Sequence, residues 1–391
     1  MSALNVVCIP FHDIKLAQVE GFRTRDSHLY QFFAEHVDVE KVIVFNRPTM
    51  LLEMILGKKK LLTAGERIYS KGNLFITRVS ERLYAVDILD MSMIKPVTRG
   101  KSFIPELYSK HFEHYLKALS VLNVAEYVTY ESSPLTVPLS EKLTPVHRIF
   151  DGVDNLCKHS TYAKLKSTLM NLYFRVLESY PTVFFNSRDS IEYFSAQNNG
   201  NVEFLPNGVD FDKFRQTYLV PPLLDELPRP CVVYAGKMQE MLDTDLVASC
   251  ASAMPKVTFL MLGKVLEPAI KTKLAHLDNV KFGGDILYAH LPAYVCNADV
   301  CFIPYRVDSQ HGGDPIKFYE YMAANKKIIS TEIGEIAQYH NDEHIVICDR
   351  IEFVEKLNNL LGLECEISNR LPETMRWSYK ADYMLRKAKT I

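Results

Sequence analysis

"CVVYAGK" (231–237) and "VTFLMLGK" (257–264) decide the fold. Each is a short apolar run that closes on glycine-lysine, and a helical segment lies between them. Parallel strands need a long crossover, usually a helix, so two such runs read as one βαβ unit. Three more runs follow at the same rhythm: "NVKFGGD" (279–285), "ADVCFIPY" (298–305) and "KKIIST" (326–331). The second half is therefore expected to be a doubly wound α/β sheet of five strands. The first half shows the same alternation. "LNVVCIP" (4–10) reads as a buried strand, and "SHLYQFFAEH" (27–36) as a helix with Ser27 as N-cap. "KVIVF" (41–45), "LYAVDIL" (83–89) and "TVFFNS" (182–187) read as further strands. The pattern breaks near "LPNGVDFDKF" (205–214), and the proline-rich "YLVPPLLDELPRP" (218–230) reads as a linker. Two Rossmann-like α/β domains are expected, with a ligand cleft at the carboxyl ends of their strands.

Bulk properties exclude more than they assign. A chain of 391 residues with 48% hydrophobic and 24% charged residues can bury a large core in two or three domains. A formal net charge of -2 argues against nucleic acid as a partner. The eight cysteines form no C-x-x-C pair, and Cys296 and Cys301 flank an apolar run, as buried thiols would. No apolar stretch approaches the roughly 18 residues of a membrane span, and the N-terminus lacks a signal-peptide pattern. The expected compartment is the cytoplasm.

"GGDPIKFYEYMAAN" (312–325) carries the chemistry. Asp314 suits an N-cap, Pro315 the first helical position, and Asn325 a left-handed C-terminal turn. Gly312 and Gly313 let backbone approach a ligand closely. A helix running from about 315 to 324 attracts anions at its N-terminus through unsatisfied N–H groups and its dipole. Lys317 in the first turn can reach a phosphate, and Glu320 shares its face and can accept both hydroxyls of a ribose. The competing reading is an amphipathic helix with a surface Lys–Glu pair, and the charge of Asp314 itself would compete for the helix end.

Several separated segments, in order, resemble the retaining GT-B glycosyltransferases of the family 4 type. "VEFLPNGVDFDKF" (202–214) resembles their interdomain signature, and 279–305 their strand-loop-helix-strand segment at the nucleobase. "DPIKFYEYMAANKKIIST" (314–331) resembles their donor-binding helix, and "RWSYKADYMLRKA" (376–388) their closing helix. In the first half, "RTRDSHLYQF" (23–32) and "RIFDGVDNL" (148–156) are similar to motifs of polysaccharide-assembling members. The resemblance implies a GT-B fold with an acceptor domain at 1–205, completed by a helix at 373–391, and a donor domain at 206–372. It implies transfer of a hexose-type sugar from a nucleotide-sugar donor to a saccharide or lipid-linked acceptor, in surface polysaccharide synthesis, with retention and with neither cofactor nor metal. Glu320 would hold the ribose, Lys317 and Lys237 the leaving diphosphate, and Gly284, Asp285 and Ile286 the base, with Gly263 and Lys264 beside them. Three departures stand out. Gly312 occupies the place of the first of two paired glutamates, Lys237 that of an arginine, and "PFHD" (10–13) that of a glycine-rich loop.

First-half candidates rest on position. His12 and Asp13 end the first strand, where His12 could contact the donor sugar or phosphate; a solvated loop is the alternative. Arg25 and His28 could serve a site or brace a helix. Asp151 or Asp154 could orient an acceptor hydroxyl or act as a base, while Asp154 could equally cap a helix. Glu131 is a further cleft candidate. "TMLLEMILGKKKLL" (49–62) joins apolar residues to three lysines, and 51–110 holds 11 Lys+Arg against 6 Asp+Glu, an excess of 5. That segment either docks on the anionic inner face of the plasma membrane or is a buried helix ending in a solvated basic turn. A GT-B sugar-nucleotide epimerase and a non-catalytic scaffold are the alternative functions.

Overall fold

The computed structural model describes residues 4–197, 200–309, 313–341, 343–364, 367–368 and 371–389. The chain divides into two compact units, Met1–Leu205 with Trp377–Ile391, and Pro206–Arg376.

The first unit is built on one ten-stranded sheet. Its strands are β1 (Leu4–Ile9), β2 (Val39–Phe45), β3 (Thr49–Met50), β4 (Glu66–Lys71), β5 (Leu74–Arg78), β6 (Leu83–Asp90), β7 (Val128–Glu131), β8 (His147–Gly152), β9 (Thr182–Phe185) and β10 (Val202–Phe204). They lie in the order β10-β9-β8-β7-β1-β2-β6-β5-β4, with β3 beside β6. All pairs are parallel except the β4–β5 and β5–β6 hairpins. Central strands are apolar almost throughout because helices cover both faces, and Val42, Ile43, Val44 and Phe45 are all buried. The chain leaves β1 toward β2 and later returns to its other side at β7, so the order reverses between β1 and β7. The C-terminal helix Trp377–Lys389 belongs to this unit. Trp377 is fully buried and stacks on His28 of helix Arg25–Glu35, ring centroids 4.9 Å apart.

The second unit holds six parallel strands: β11 (Cys231–Ala235), β12 (Thr258–Leu262), β13 (Val280–Gly284), β14 (Val300–Ile303), β15 (Lys327–Thr331) and β16 (Ile345–Cys348). Their order is β13-β12-β11-β14-β15-β16, which reverses between β11 and β14. Five of these strands match the five expected runs, and β16 is an addition. The proline-rich stretch 218–230 is not a linker. It lies within the second unit, where Leu224 of helix Pro222–Asp225 is fully buried in the core. Cys231, Cys250, Cys301 and Cys348 are buried thiols of this core and Cys296 is half-buried, its Sγ bonded to the Phe214 carbonyl.

Candidate active site

In open α/β sheets the crevice for a ligand opens at the carboxyl ends of the strands, where the strand order reverses. In the second unit that point lies beyond β11 and β14. Backbone bonds lace the loops there into one strip. The Gly236 N–H donates to the Leu262 carbonyl (2.9 Å), Met238 N–H to Lys264 (2.9 Å) and Gly263 N–H to Gly284 (2.7 Å). Gly263 is required to be glycine, because a Cβ there would fall 2.0 Å from the Gly236 carbonyl oxygen.

Onto this strip the helix Ile316–Ala323 delivers two charged side chains. The Lys317 ammonium lies over the rings of Tyr234 and Tyr305, 4.3 and 4.7 Å from their centroids, and donates to both hydroxyls. A Cβ on Gly236 would meet that ammonium at 2.1 Å, so glycine is what lets the cation reach the β11 end. Glu320, one turn on, is buried at 3% exposure and accepts from the Tyr288 hydroxyl at 2.8 Å. Burial raises its carboxyl pKa to about 7, opposed by the Tyr288 hydrogen bond and the field of Lys317. The far side of the same helix packs Phe318 and Tyr319 against Tyr339. Lys317 and Glu320 therefore face the strand ends, and the surface-pair reading does not describe this helix.

Its start differs from expectation. The helix begins at Ile316, and Pro315 stands at the N-cap with extended backbone and supplies no side-chain cap. Asp314 is no cap. Its carboxylate accepts from the Asn207 backbone N–H (2.9 Å) and the Tyr319 hydroxyl (2.8 Å), partners that draw the charge away from the helix end. The Asn207 side chain in turn donates to the Asp314 carbonyl, so the "LPNG" segment clamps the helix entry. Gly313 packs its carbonyl against Gly334, where a Cβ would come within 2.7 Å. Asn325 does take the left-handed turn, at φ 52°. Gly312 lies outside the described residues.

The other donor-side candidates sit on the neighbouring loops. Lys237 is half-buried and its carbonyl accepts from the Tyr234 hydroxyl; Lys264 and Asp285 are exposed; Ile286 packs partly buried against the core. Sequence reasoning missed Tyr234, Tyr305, Tyr288 and Asn207. Three tyrosines whose outermost members lie 71 residues apart carry no spacing signal, and only the sheet order brings them to one helix.

In the first unit the reversal point gathers His12, Arg25, Asp26, Ser132 and Asp154 around a small hollow. Asp26, also missed, is buried and binds His12 twice, through its backbone N–H at 2.9 Å and its Nδ1 at 3.5 Å. Burial alone would raise the Asp26 pKa, and the imidazole and hydrogen bonds outweigh it, leaving it lowered. Several expected acceptor-side groups are engaged within the fold. Asp151 is fully buried and takes two hydrogen bonds from Arg25 (2.8 and 2.9 Å) and one from the Tyr130 hydroxyl (2.7 Å), so both its oxygens are committed. That geometry fits positioning of Arg25 rather than proton abstraction. Glu131 is likewise buried, facing Thr136, Ser140 and Tyr180 hydroxyls, with its pKa raised by burial. It belongs to the interior and not to a cleft. Asp13 caps the helix Ile14–Glu20 through the Leu16 N–H and pairs with Lys59. Burial would raise its pKa, and the Lys59 and Lys15 ammonium groups overcome that and hold it at about 2. Asp154 is half-buried, its carbonyl accepting from Tyr173. Among the described residues no group of three or more His, Cys, Asp or Glu side chains is placed to hold a metal ion.

A family model described as glycosyl transferases group 1 matches residues 229–362, which span the whole candidate site of the second unit except Asn207. No curated protein matches in sequence. Solved structures with the same fold include the sucrose-phosphate synthase of Thermosynechococcus elongatus (TM-score 0.70, 14% identity, 99% of this chain and 94% of that one). A second, from E. coli, is described as trehalose-6-phosphate bound with UDP-2-fluoro glucose (TM-score 0.68, 11% identity, 100% and 99%). A third is Anabaena Alr3699/HepE in complex with UDP and glucose (TM-score 0.59, 13% identity, 99% and 95%). The fold is GT-B, two Rossmann-like units, and the matched domain marks the chain as a transferase enzyme.

Proposed function

We propose that the protein transfers a hexose-type sugar from a nucleoside-diphosphate sugar to a saccharide acceptor, with retention, in the assembly of a surface polysaccharide. One observation carries this reading: Lys317 and Glu320 leave a single helix face and meet the strand ends at the reversal point of the second unit. In this reading Glu320, ionised, accepts the ribose hydroxyls, and backbone at Gly284, Asp285 and Ile286 meets the base. The uncapped helix end at Gly313–Ile316, with Lys317 and Lys237, takes the diphosphate. As the acceptor oxygen bonds to the anomeric carbon, the bond to the diphosphate breaks and its electron pair leaves with the phosphate. The acceptor proton goes to the departing diphosphate. Charge develops on that leaving group, and preorganised cations stabilise it more than the ground state. The tyrosine cradle serves this end, since hydroxyls and ring faces hold the Lys317 ammonium without cancelling its charge. His12, oriented by Asp26, serves the acceptor side. Similar solved structures carry UDP with glucose or a fluoro-glucose analogue, which makes a UDP-hexose the first donor to try.

Thermal denaturation with a panel of sugar nucleotides tests the reading. A donor at 100 times its Kd stabilises the fold by about 2.7 kcal/mol. One sugar nucleotide is expected to raise the melting temperature of the native protein and not of Glu320→Ala. Acceptor-dependent release of nucleoside diphosphate then separates transfer from epimerisation. A panel with no stabilising member rules the donor assignment out.

A further inference from the structure

A second and larger hollow opens at the reversal point of the first unit. It encloses about 430 Å³, within the range of small-molecule sites, and its walls include Phe11, Leu52, Leu56, Ile104, Leu135 and Tyr162. Two short helices flank it, Leu51–Ile55 and Ile94–Arg99, contributing Leu52 and Pro96. Their apolar side chains stay outside the core: Ile55 is 65% exposed, Ile94 75% and Val97 70%. A concentration of apolar side chains around one opening is what a protein shows where an apolar partner enters.

The opening is also cationic. Arg47, Lys58 and Lys101 line it against a single carboxylate, Glu53, which Arg47 already pairs. Lys101 has no acidic partner among the described residues; its ammonium sits 3.9 Å from the Tyr162 ring centroid, and burial lowers its pKa. A cation resting on a ring at the edge of an apolar cavity favours an anion at the head of an apolar chain. Phe11 lines both this hollow and the small one that holds His12 and Asp26.

We propose that the acceptor is a lipid phosphate: its hydrocarbon chain occupies this hollow, its phosphate rests on Lys101 and Lys58, and its saccharide head passes Phe11 to reach His12. The inference rests on the transferase reading for the word acceptor, but the site itself is measurable without turnover. Farnesyl phosphate, below its micelle concentration and without detergent, is the probe. Titration calorimetry should show saturable binding at least about tenfold tighter than for farnesol or inorganic phosphate, the ligand needing both parts of the site. Leu52→Trp, which fills the hollow, should abolish it, and Lys101→Glu should weaken it by about tenfold or more. Leu56→Ser, at an exposed position, replaces Leu52→Trp if the latter fails to fold. In each variant the shift produced by a sugar nucleotide should remain. Equal binding of farnesol and farnesyl phosphate would remove the phosphate from the proposal. Absence of saturable binding, or binding unchanged in these variants, would overturn it. So would a protein that ignores farnesyl phosphate yet sediments with phosphatidylglycerol vesicles, since the apolar rim would then be a bilayer contact. Intact lipid binding with no sugar-nucleotide response would sink the donor reading alone.

Discussion

The two units hold their charged side chains by different means, and the difference separates support from chemistry. In the first unit two candidate carboxylates are met by opposite charge, Asp151 by Arg25 and Asp13 by Lys59. In the second unit Lys317 and Glu320 are held by tyrosines. A hydroxyl or a ring face fixes a charge in place without neutralising it, so the charge is still there for a ligand. An ion pair spends the charge on the fold.

Exchanging the same residue class in the two units gives the sharpest test of that contrast. Lys317→Ala should lower kcat by about 10²–10³-fold, the scale of one lost transition-state contact, with the melting temperature nearly unchanged. Near-normal turnover would mean the cradle is only packing. Arg25→Ala should do the opposite in kind. It leaves Asp151 buried without its partner, and breaking a buried pair costs about 3–5 kcal/mol, readable by urea denaturation. If Arg25→Ala unfolds no more readily than the native chain but transfers no sugar, Arg25 touches substrate and the contrast fails on that side.

How much of this was legible in the sequence follows the same division. Strands covered on both faces announce themselves as apolar runs, so β1, β2, β9 and β11–β15 are readable. The β4–β5 hairpin is not, because "ERIYSK" lies at the sheet edge and alternates half-buried and exposed residues. The helix Ile316–Ala323 was readable because its two charges, Lys317 and Glu320, lie three residues apart on one face. What surrounds it was not, since Tyr234, Tyr288 and Tyr305 come from three strand ends. In the first unit the motif "RDSH" is consistent with the placement of Arg25, yet sequence could not tell an exposed aspartate at 151 from one locked in a pair. Both look the same along the chain, and only the β7–β8 pairing puts Tyr130 beside Asp151.

A third, milder effect concerns pH. Ionised Glu320 is the form that accepts ribose hydroxyls, and its pKa is near 7, so donor affinity should rise between pH 6 and 8. The stability effect runs the other way: a carboxyl raised from 4.5 to about 7 favours the fold fully below 4.5 and loses that contribution as pH rises through 7. Tyr288→Phe removes a hydrogen bond that favours the ionised form and should move the donor-affinity inflection to higher pH. An inflection that stays in place would show that Glu320 does not govern donor binding.

The smallest effect is at the basic turn 58–60, which composition alone treats as three equal lysines. The structure divides them. Lys58 and Lys60 are exposed, whereas Lys59 pairs with the buried Asp13, and Lys15 donates to Leu61 beside it, tying the turn to the first helix. Lys58→Ala and Lys60→Ala should each leave stability alone, and any loss of binding to anionic vesicles should be about 1 kcal/mol per charge. Lys59→Ala should behave as a fold mutation. With its pKa held at about 2, Asp13 contributes stability above the ordinary carboxylate value of 3.8 that is lost as pH falls toward 2. Without Lys59 that loss should begin at higher pH, seen as earlier acid unfolding. If all three variants weaken vesicle binding alike and none shifts the acid transition, the turn is a uniform surface patch, and the first unit does not spend this charge on its fold.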